Sequence, residues 1–289
     1  MTAFAQQNSA PTGDLQQLIQ PGATLQQVSS QFKFTEGPAV DKQGNVYFTD
    51  QPNDKIWLYN TEGKLSLFMD KTGRSNGMFF DKKGNLVSCA DQNNELWSIS
   101  PDKKVTVLLT SVDGKKLNGP NDLWIHPNGD IYFTDPYYQR DYWTRKTPDI
   151  DGQKVYYLPK GKKEAIVVDA DMKQPNGIIG TTDGKFLYVA DIRDNKTYKY
   201  EIGKDGKLNN RQLFVSQGSD GMTLDTQGNL YITGKGVTIY DPTGKKLGNI
   251  PVPAGWVGNI CFAGKDRKTL FITASESIFT LSMQVAGIN

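Results

Sequence analysis

Two short apolar strands joined by a glycine turn occur six times along the chain of 289 residues. In the first copy Glu36-Gly37-Pro38-Ala39-Val40 precedes Gly44, and Val46-Tyr47-Phe48-Thr49-Asp50 follows it. The other copies begin at Asn76, Asn121, Asn176, Asp220 and Asn259, the last with a degenerate turn through Asp266 and Lys268. A repeat of roughly 40 to 45 residues that contains several short strands is typical of a propeller blade. The sequence therefore predicts an all-β chain folded as a six-bladed β-propeller.

Two more strand-like runs follow each hairpin, as at 55–59 and 64–68 after the first, so we expect four antiparallel strands in each blade. The third unit is longer than the others and predicts an insertion. The sixth unit shows three strands, and the run at 23–28 is expected to supply its outer strand, which closes the ring and removes an exposed edge. We expect 1–22 to be a flexible tail and 23–289 a single propeller domain.

Composition excludes several classes of protein. The formal net charge of +2 is spread without a basic run, which argues against nucleic acid as a partner. No apolar stretch approaches the roughly 18 residues of a membrane span. Cys89 and Cys261 are expected to be buried free thiols, because two distant cysteines make neither a disulfide scaffold nor a Cys-rich zinc site. The one histidine, His126, precedes Pro-Asn-Gly in a predicted turn, which argues against a Ser-His-Asp triad.

The position eight residues before the turn glycine always carries a carboxylate or a carboxamide. Its occupants are Glu36, Asn76, Asn121, Asn176, Asp220 and, in the degenerate sixth unit, Asn259. Because the first strand of each blade lines the channel, one repeat position becomes one ring around the axis. Hard cations such as Ca²⁺ take about six to eight oxygen ligands, so the ring predicts one divalent ion, Ca²⁺ before Mg²⁺, Mn²⁺ or Zn²⁺. The alternative, that Asn-Gly and Asp-Gly only open strands as turn residues, does not account for the shared register.

Four motifs in this order resemble the gluconolactonase/regucalcin-like family, which includes luciferin-regenerating enzymes. They are Glu36-Gly37-Pro38, Asn118-Gly119-Pro120-Asn121-Asp122, Gln174-Pro175-Asn176-Gly177 and Ser219-Asp220-Gly221-Met222. The resemblance covers roughly residues 30–280 and implies a six-bladed lactonase with an axial divalent metal. Carried over, it implies Glu36, Asn176 and Asp220 as metal ligands, and Asn121 as a fourth ligand or a group that binds substrate or water. Gly119 stands where regucalcin-like members have an arginine, so the resemblance does not imply their mode of sugar binding.

The ring favours hydrolysis of an ester. An axial cation polarises a carbonyl, and a carboxylate beside it accepts the proton of the attacking water. We expect Asp220 to be that base, with Glu36 as the alternative, and Asn121 to assist it. The expected function is hydrolysis that opens the ring of a sugar lactone such as gluconolactone. This small-molecule substrate is the expected binding partner. Two alternatives stay open: a hydrolase of phosphotriesters or cyclic diketones on the same site, and a non-enzymatic binding propeller with structural Ca²⁺.

Five further side chains are candidates for binding the substrate. Asn76 and Asn259 are ring positions, and Arg74 lies two residues before one. The predicted insertion in blade three is rich in aromatic residues, of which Tyr137 and Trp143 offer stacking surface for a sugar ring. The alternative for the insertion is that its aromatic residues pack as a small separate cluster on the propeller face. The alternative for Arg74 is a solvated side chain without a role in binding.

Two minor patterns remain. Ala3-Phe4-Ala5-Gln6 is typical of the end of a signal peptide, with Met1 then placed inside that peptide, which predicts a periplasmic or secreted protein; a cytoplasmic one is the alternative. Aspartates also recur at the ends of second strands, and we expect them to accept hydrogen bonds in turns, with a second structural Ca²⁺ site as the alternative. These are Asp50, Asp91, Asp135 and Asp191.

Overall fold

Six four-stranded antiparallel sheets surround one axis in the computed structural model, which describes residues 13–288. In chain order the strands are β1 (Gln26–Ser29); in blade one β2 (Thr35–Val40), β3 (Val46–Asp50), β4 (Lys55–Tyr59) and β5 (Leu65–Asp70); in blade two β6 (Ser75–Phe80), β7 (Leu86–Ala90), β8 (Glu95–Ile99) and β9 (Val105–Leu109); the hairpin β10 (Ser111–Val112) and β11 (Lys115–Lys116); in blade three β12 (Leu123–Ile125), β13 (Ile131–Asp135), β14 (Gln153–Leu158) and β15 (Ile166–Met172); in blade four β16 (Pro175–Gly180), β17 (Phe186–Asp191), β18 (Lys196–Ile202) and β19 (Leu208–Val215); in blade five β20 (Met222–Leu224), β21 (Leu230–Gly234), β22 (Gly236–Tyr240) and β23 (Lys246–Ile250); and in blade six β24 (Val257–Ala263), β25 (Thr269–Ala274) and β26 (Ser277–Ser282). The predicted all-β, six-bladed propeller is confirmed.

Blade six is completed by the N-terminal strand. β1 pairs antiparallel with β26, with Gln26 opposite Thr280, and the sheet order is β1-β26-β25-β24. This closure was predicted from the run at 23–28, and it ties the two ends of the chain together. It also pairs an edge of β26 that would otherwise be exposed.

Part of the segment expected to be a flexible tail packs on the propeller. Gly13–Gln17 forms a 3₁₀ helix, and Leu15, Leu18 and Ile19 are buried in the apolar cluster shared by blades five and six. Ile19 also forms a bridge with Met283. The packed chain therefore begins before residue 23, because these apolar side chains are removed from water. The predicted signal-peptide end at 3–6 lies outside the described residues.

The apolar faces of neighbouring blades pack together to make the core. Cys89 and Cys261 are buried in separate clusters of this core as free thiols, as predicted. Helical structure within residues 13–288 is limited to the 3₁₀ helices Gly13–Gln17 and Gln51–Asn53. No helix in this part of the chain is long and apolar enough to cross a membrane.

The inner strands β2, β6, β12, β16, β20 and β24 contact one another around the axis. They approach closely at glycine: a Cβ added to Gly37, whose φ is +47°, would lie 1.9 Å from the carbonyl oxygen of Asn76. The predicted ring residues lie at or just before the beginnings of these strands. At the opposite end the C-terminal segment crosses over blade five, where Ile288 N donates to Leu224 O. The candidate site therefore lies at the mouth formed by the strand beginnings.

Candidate active site

Five of the six predicted ring residues share one structural position. In blades two to five, the residue two positions after the ring residue pairs with the middle of the second strand. In blade one the residue two positions later, Pro38, lies next to the pair of Ala39 with Tyr47. The five ring residues are Glu36, Asn76, Asn121, Asn176 and Asp220. In blades one, two and four the pairing register shifts at the ring residue, and such a bulge turns a side chain away from the regular pleat. The first four are 2–7% exposed and Asp220 is partly buried. The repeat thus brings five oxygen-bearing side chains to the mouth of the channel.

Asn259 does not belong to this ring, which corrects the prediction for blade six. Trp124 pairs with Tyr132 and Cys261 pairs with Phe271, so Asn259, two residues before Cys261, is equivalent to Asp122. The backbone N–H groups of Asp122 and Asn259 donate in the same way to a second-strand threonine, at 3.2 and 3.0 Å.

The ring position of blade six is Gly258. The β24–β25 hairpin has one residue pair more than the other inner hairpins, Ala263 with Thr269. Counting eight residues back from the turn therefore reaches Asn259, one residue after the ring position. A Cβ on Gly258 would lie 2.8 Å from Glu36 Oε1. The absence of a side chain there leaves room for the Glu36 carboxylate.

The buried carboxylate of Glu36 lies near the partly buried carboxylate of Asp220. Burial raises the pKa of Glu36 well above its usual value, and the charge of Asp220 raises it further. Burial also raises the pKa of Asp220 to about 6, against the hydrogen bonds from Trp256 and Asn176 that lower it. Trp256 Nε1 donates to Asp220 Oδ2 at 2.7 Å. Two carboxylates in such a place are both ionised only when a cation balances their charge, and without one a proton is held there instead.

The amide oxygens of Asn76 and Asn176 are buried and have no hydrogen-bond partner. Asn176 Nδ2 donates to the Tyr138 hydroxyl at 3.0 Å, which leaves Oδ1 free to accept. Buried acceptors without a donor are uncommon, and a bound ion or water molecule would satisfy these two. Within residues 13–288 no three His, Cys, Asp or Glu side chains are grouped to hold a metal, so a cation here depends on amides as well as carboxylates. That donor set of oxygens fits a hard divalent cation such as Ca²⁺ and not Zn²⁺.

A second polar layer, which the sequence reasoning missed, lies beneath the ring. Asn259 Nδ2 donates to Asp122 Oδ2 at 3.3 Å, and Asn259 also hydrogen-bonds to Glu36. Burial raises the pKa of Asp122 to about 7. At the equivalent position Gly37, Gly77, Gly177 and Gly221 occur in the other blades. The sequence repeat could have indicated this layer, because Asp122 stands at the position after the ring residue where blades one, two, four and five have glycine.

The blade-three insertion, residues 136–152 between β13 and β14, lies beside the ring mouth. Tyr138, which was not singled out from the sequence, contacts Asn176, and the Arg140 guanidinium lies near enough to Asp220 to lower its pKa. Asp91 anchors this insertion: Oδ2 accepts from Arg140 Nε at 2.7 Å and from the Tyr142 hydroxyl at 2.6 Å. Its role thus differs from that of Asp50, Asp135 and Asp191, which accept from backbone N–H groups as predicted.

The other predicted substrate-binding residues have structural partners. Trp143 is 5% exposed, and its Nε1 donates to Asp91 O at 2.9 Å. The Tyr137 hydroxyl donates to Gln139 Oε1 at 2.7 Å. Arg74 donates to Pro52 O at 2.8 Å and stacks on Tyr142 at 4.3 Å. These contacts place the three side chains in the support of the insertion, and their role toward a substrate stays a prediction.

The raised pKa values of Glu36 and Asp220 predict how stability depends on pH without metal. Both groups bind protons more tightly when folded, so their contribution is complete below the unfolded pKa of about 4 and is lost as pH rises through the folded pKa, about 6 for Asp220. We expect the Tm in a chelator to fall between about pH 4 and about pH 7. Calcium should raise Tm more at pH 7 than at pH 5, because deprotonated carboxylates bind it.

Differential scanning fluorimetry across this range, with EDTA and with Ca²⁺, checks the prediction. The control is the double variant Glu36→Gln, Asp220→Asn, whose profile in EDTA should be flatter. A Tm in EDTA that is constant or rises from pH 4 to pH 7 would contradict the assigned electrostatics.

Comparison with known proteins adds to this geometry. Residues 34–276 match the SMP-30/Gluconolactonase/LRE-like region. A gluconolactonase from Zymomonas mobilis is 27% identical in an alignment that covers 94% of this chain and 85% of that protein. The solved structure of a gluconolactonase from Xanthomonas campestris is 27% identical with a TM-score of 0.86, covering 94% of this chain and 93% of that one. The solved calcium-binding regucalcin from Agrobacterium tumefaciens, 19% identical with a TM-score of 0.76 over 92% and 95% of the two chains, shares the fold.

Proposed function

The chain belongs to the SMP-30/Gluconolactonase/LRE-like family, and from this premise we propose that it is a metal-dependent lactonase that opens a sugar lactone. One observation carries the proposal: a buried and a partly buried carboxylate lie in one ring at the channel mouth with two unpaired buried amide oxygens. The gluconolactonases that align with most of the chain support lactones as the substrate class.

Glu36, Asn176 and Asp220 would hold the cation, with Asn121 as a further ligand or a group that orients water, and Asn76 completing the ring. When a divalent ion is bound, the site gains Lewis-acid chemistry that polarises a carbonyl and lowers the pKa of water. Calcium is proposed because carboxylate and amide oxygens are the donors present.

Asp220 is proposed as the general base. Its carboxylate accepts from Trp256 and Asn176 and still has lone pairs with which to take the proton of the water that attacks the lactone carbonyl carbon. The ester C–O bond then breaks, and the same carboxyl returns a proton to the leaving oxygen of the ring. Glu36 is less suited to this role, because it is 5% exposed whereas Asp220 is only partly buried.

The direct test is a panel of aldono-lactones assayed by proton release, with protein stripped by EDTA and then supplied with Ca²⁺, Mg²⁺, Mn²⁺ or Zn²⁺. We expect turnover of at least one lactone to require added metal. Turnover by the stripped protein equal to that of the loaded protein would refute the metal dependence. Absence of turnover on every lactone with every metal would refute the lactonase.

The metal site predicts a specific loss in Asn176→Ala. Removing the buried, unpaired Oδ1 should weaken Ca²⁺ binding at least about tenfold, measured by calorimetry. Asn209→Ala, on the exposed outer strand of blade four, is the matched control and should bind as the wild type does. Equal Ca²⁺ affinity in the two variants would remove Asn176 from the site.

A further inference from the structure

The hydroxyl of Tyr138 occupies a defined place at the mouth of the ring. It accepts a hydrogen bond from Asn176 Nδ2 at 3.0 Å, and Asn176 also hydrogen-bonds to Asp220. Since both contacts use the amide nitrogen, Asn176 Oδ1 is left buried and without a partner. The Asn176 amide nitrogen is therefore turned toward the insertion, and its oxygen is left to accept from a ligand.

The hydrogen of the Tyr138 hydroxyl is still available. A tyrosine hydroxyl both donates and accepts, and here the oxygen accepts. Among residues 13–288 the hydroxyl finds no acceptor of its own, and its contact with Asn176 is the hydrogen bond it makes. Burial raises the pKa of the Tyr138 phenol above its ordinary value, so the group is protonated at neutral pH and can donate.

The position of Tyr138 does not depend on that hydroxyl. The insertion is tied to blade two through Asp91, which accepts from Arg140 Nε and the Tyr142 hydroxyl, while its carbonyl accepts from Trp143 Nε1. The Arg140 guanidinium also lies over the Tyr138 ring, 5.6 Å from its centroid. A donor fixed in this way by its neighbours is preorganised before a substrate arrives.

We propose that Tyr138 donates a hydrogen bond to the acyl oxygen of the bound lactone; this inference rests on the proposed lactonase function. Asn176 is the shared neighbour, since its nitrogen donates to the hydroxyl and its unpaired oxygen is a proposed ligand of the cation. A carbonyl oxygen placed over the ring therefore lies beside Tyr138.

When the water oxygen bonds to the carbonyl carbon, the carbonyl π electrons move onto the acyl oxygen. A donor placed there stabilises that charge until the C–O bond to the ring oxygen breaks and the carbonyl re-forms. Such a contact is stronger in the transition state than in the ground state, so it acts on kcat.

Tyr138→Phe removes the hydroxyl and keeps the ring. On the best lactone at saturating Ca²⁺ we expect kcat to fall about 10²-fold, with KM and the Ca²⁺ Kd each within about threefold of the wild type. Tyr59→Phe, in the third strand of blade one, is the matched control and should leave all three constants unchanged. The Tm of both variants in Ca²⁺ should equal that of the wild type.

Each other result overturns the inference. A parallel loss of Ca²⁺ affinity would make Tyr138 a positioning residue for Asn176, and a rise in KM with constant kcat would make it a ground-state contact only. Unchanged constants would leave it without a role in turnover. If the wild type itself hydrolyses no lactone although it binds Ca²⁺, the proposed function fails and this inference falls with it.

Discussion

Asp220→Asn is expected to lower kcat on the best lactone about 10²- to 10⁴-fold while Ca²⁺, supplied in excess, still binds. The substitution keeps the size of the side chain and an oxygen that can bind a cation or accept from Trp256 Nε1. It removes the carboxylate that takes the proton of the attacking water. Asp220 is partly buried at the mouth, near Arg140 of the insertion, so a substrate can reach it.

Glu36→Gln is the matched control for this prediction. Glu36 is more deeply buried and its pKa is raised further by the charge of Asp220. We expect Glu36→Gln to weaken Ca²⁺ binding more than Asp220→Asn does, and its activity to recover in part at high Ca²⁺. The measurements are steady-state kinetics by proton release and Ca²⁺ affinity by calorimetry. Near wild-type kcat for Asp220→Asn at saturating Ca²⁺ would make Asp220 a ligand only, and the base would be Glu36 or a group outside the ring.

Gly37→Ala is expected to destabilise the fold by more than about 3 kcal/mol, or to prevent it from accumulating. The added Cβ would lie 1.9 Å from the carbonyl oxygen of Asn76, between the inner strands of blades one and two. That oxygen belongs to the backbone and cannot move without shifting the neighbouring blade. The positive φ of +47° adds strain of its own.

Gly114→Ala separates crowding from backbone strain. Gly114 has a φ of +72°, but nothing lies within 4 Å of the added Cβ, so we expect a cost of about 1 kcal/mol. Urea unfolding in EDTA measures both variants without the contribution of bound metal. Equal midpoints for the two variants would show that the inner strands can separate, and the close packing on the axis would then not be a requirement of the fold.

The sequence by itself determined the fold, because a repeated strand pattern can bury its apolar faces only by stacking blade on blade around an axis. It also determined five ring residues, including Glu36, Asn176 and Asp220, since one repeat position becomes one place on the axis. Closure of the ring by β1 followed in the same way, from a missing strand in the last unit.

Only the tertiary structure decided the register of blade six. The first hairpin of blade six is one residue pair longer than the others, and this moves Asn259 off the ring. The extra pair, Ala263 with Thr269, is seen in the strand pairing and could not be read from the degenerate turn sequence. The sequence repeat also does not predict contacts between segments that are distant along the chain. Trp256 reaches Asp220 from the loop before β24, and Tyr138 reaches Asn176 from an insertion that occurs once in the chain. A repeat predicts what its copies share, whereas the partners of a single loop depend on where packing places that loop.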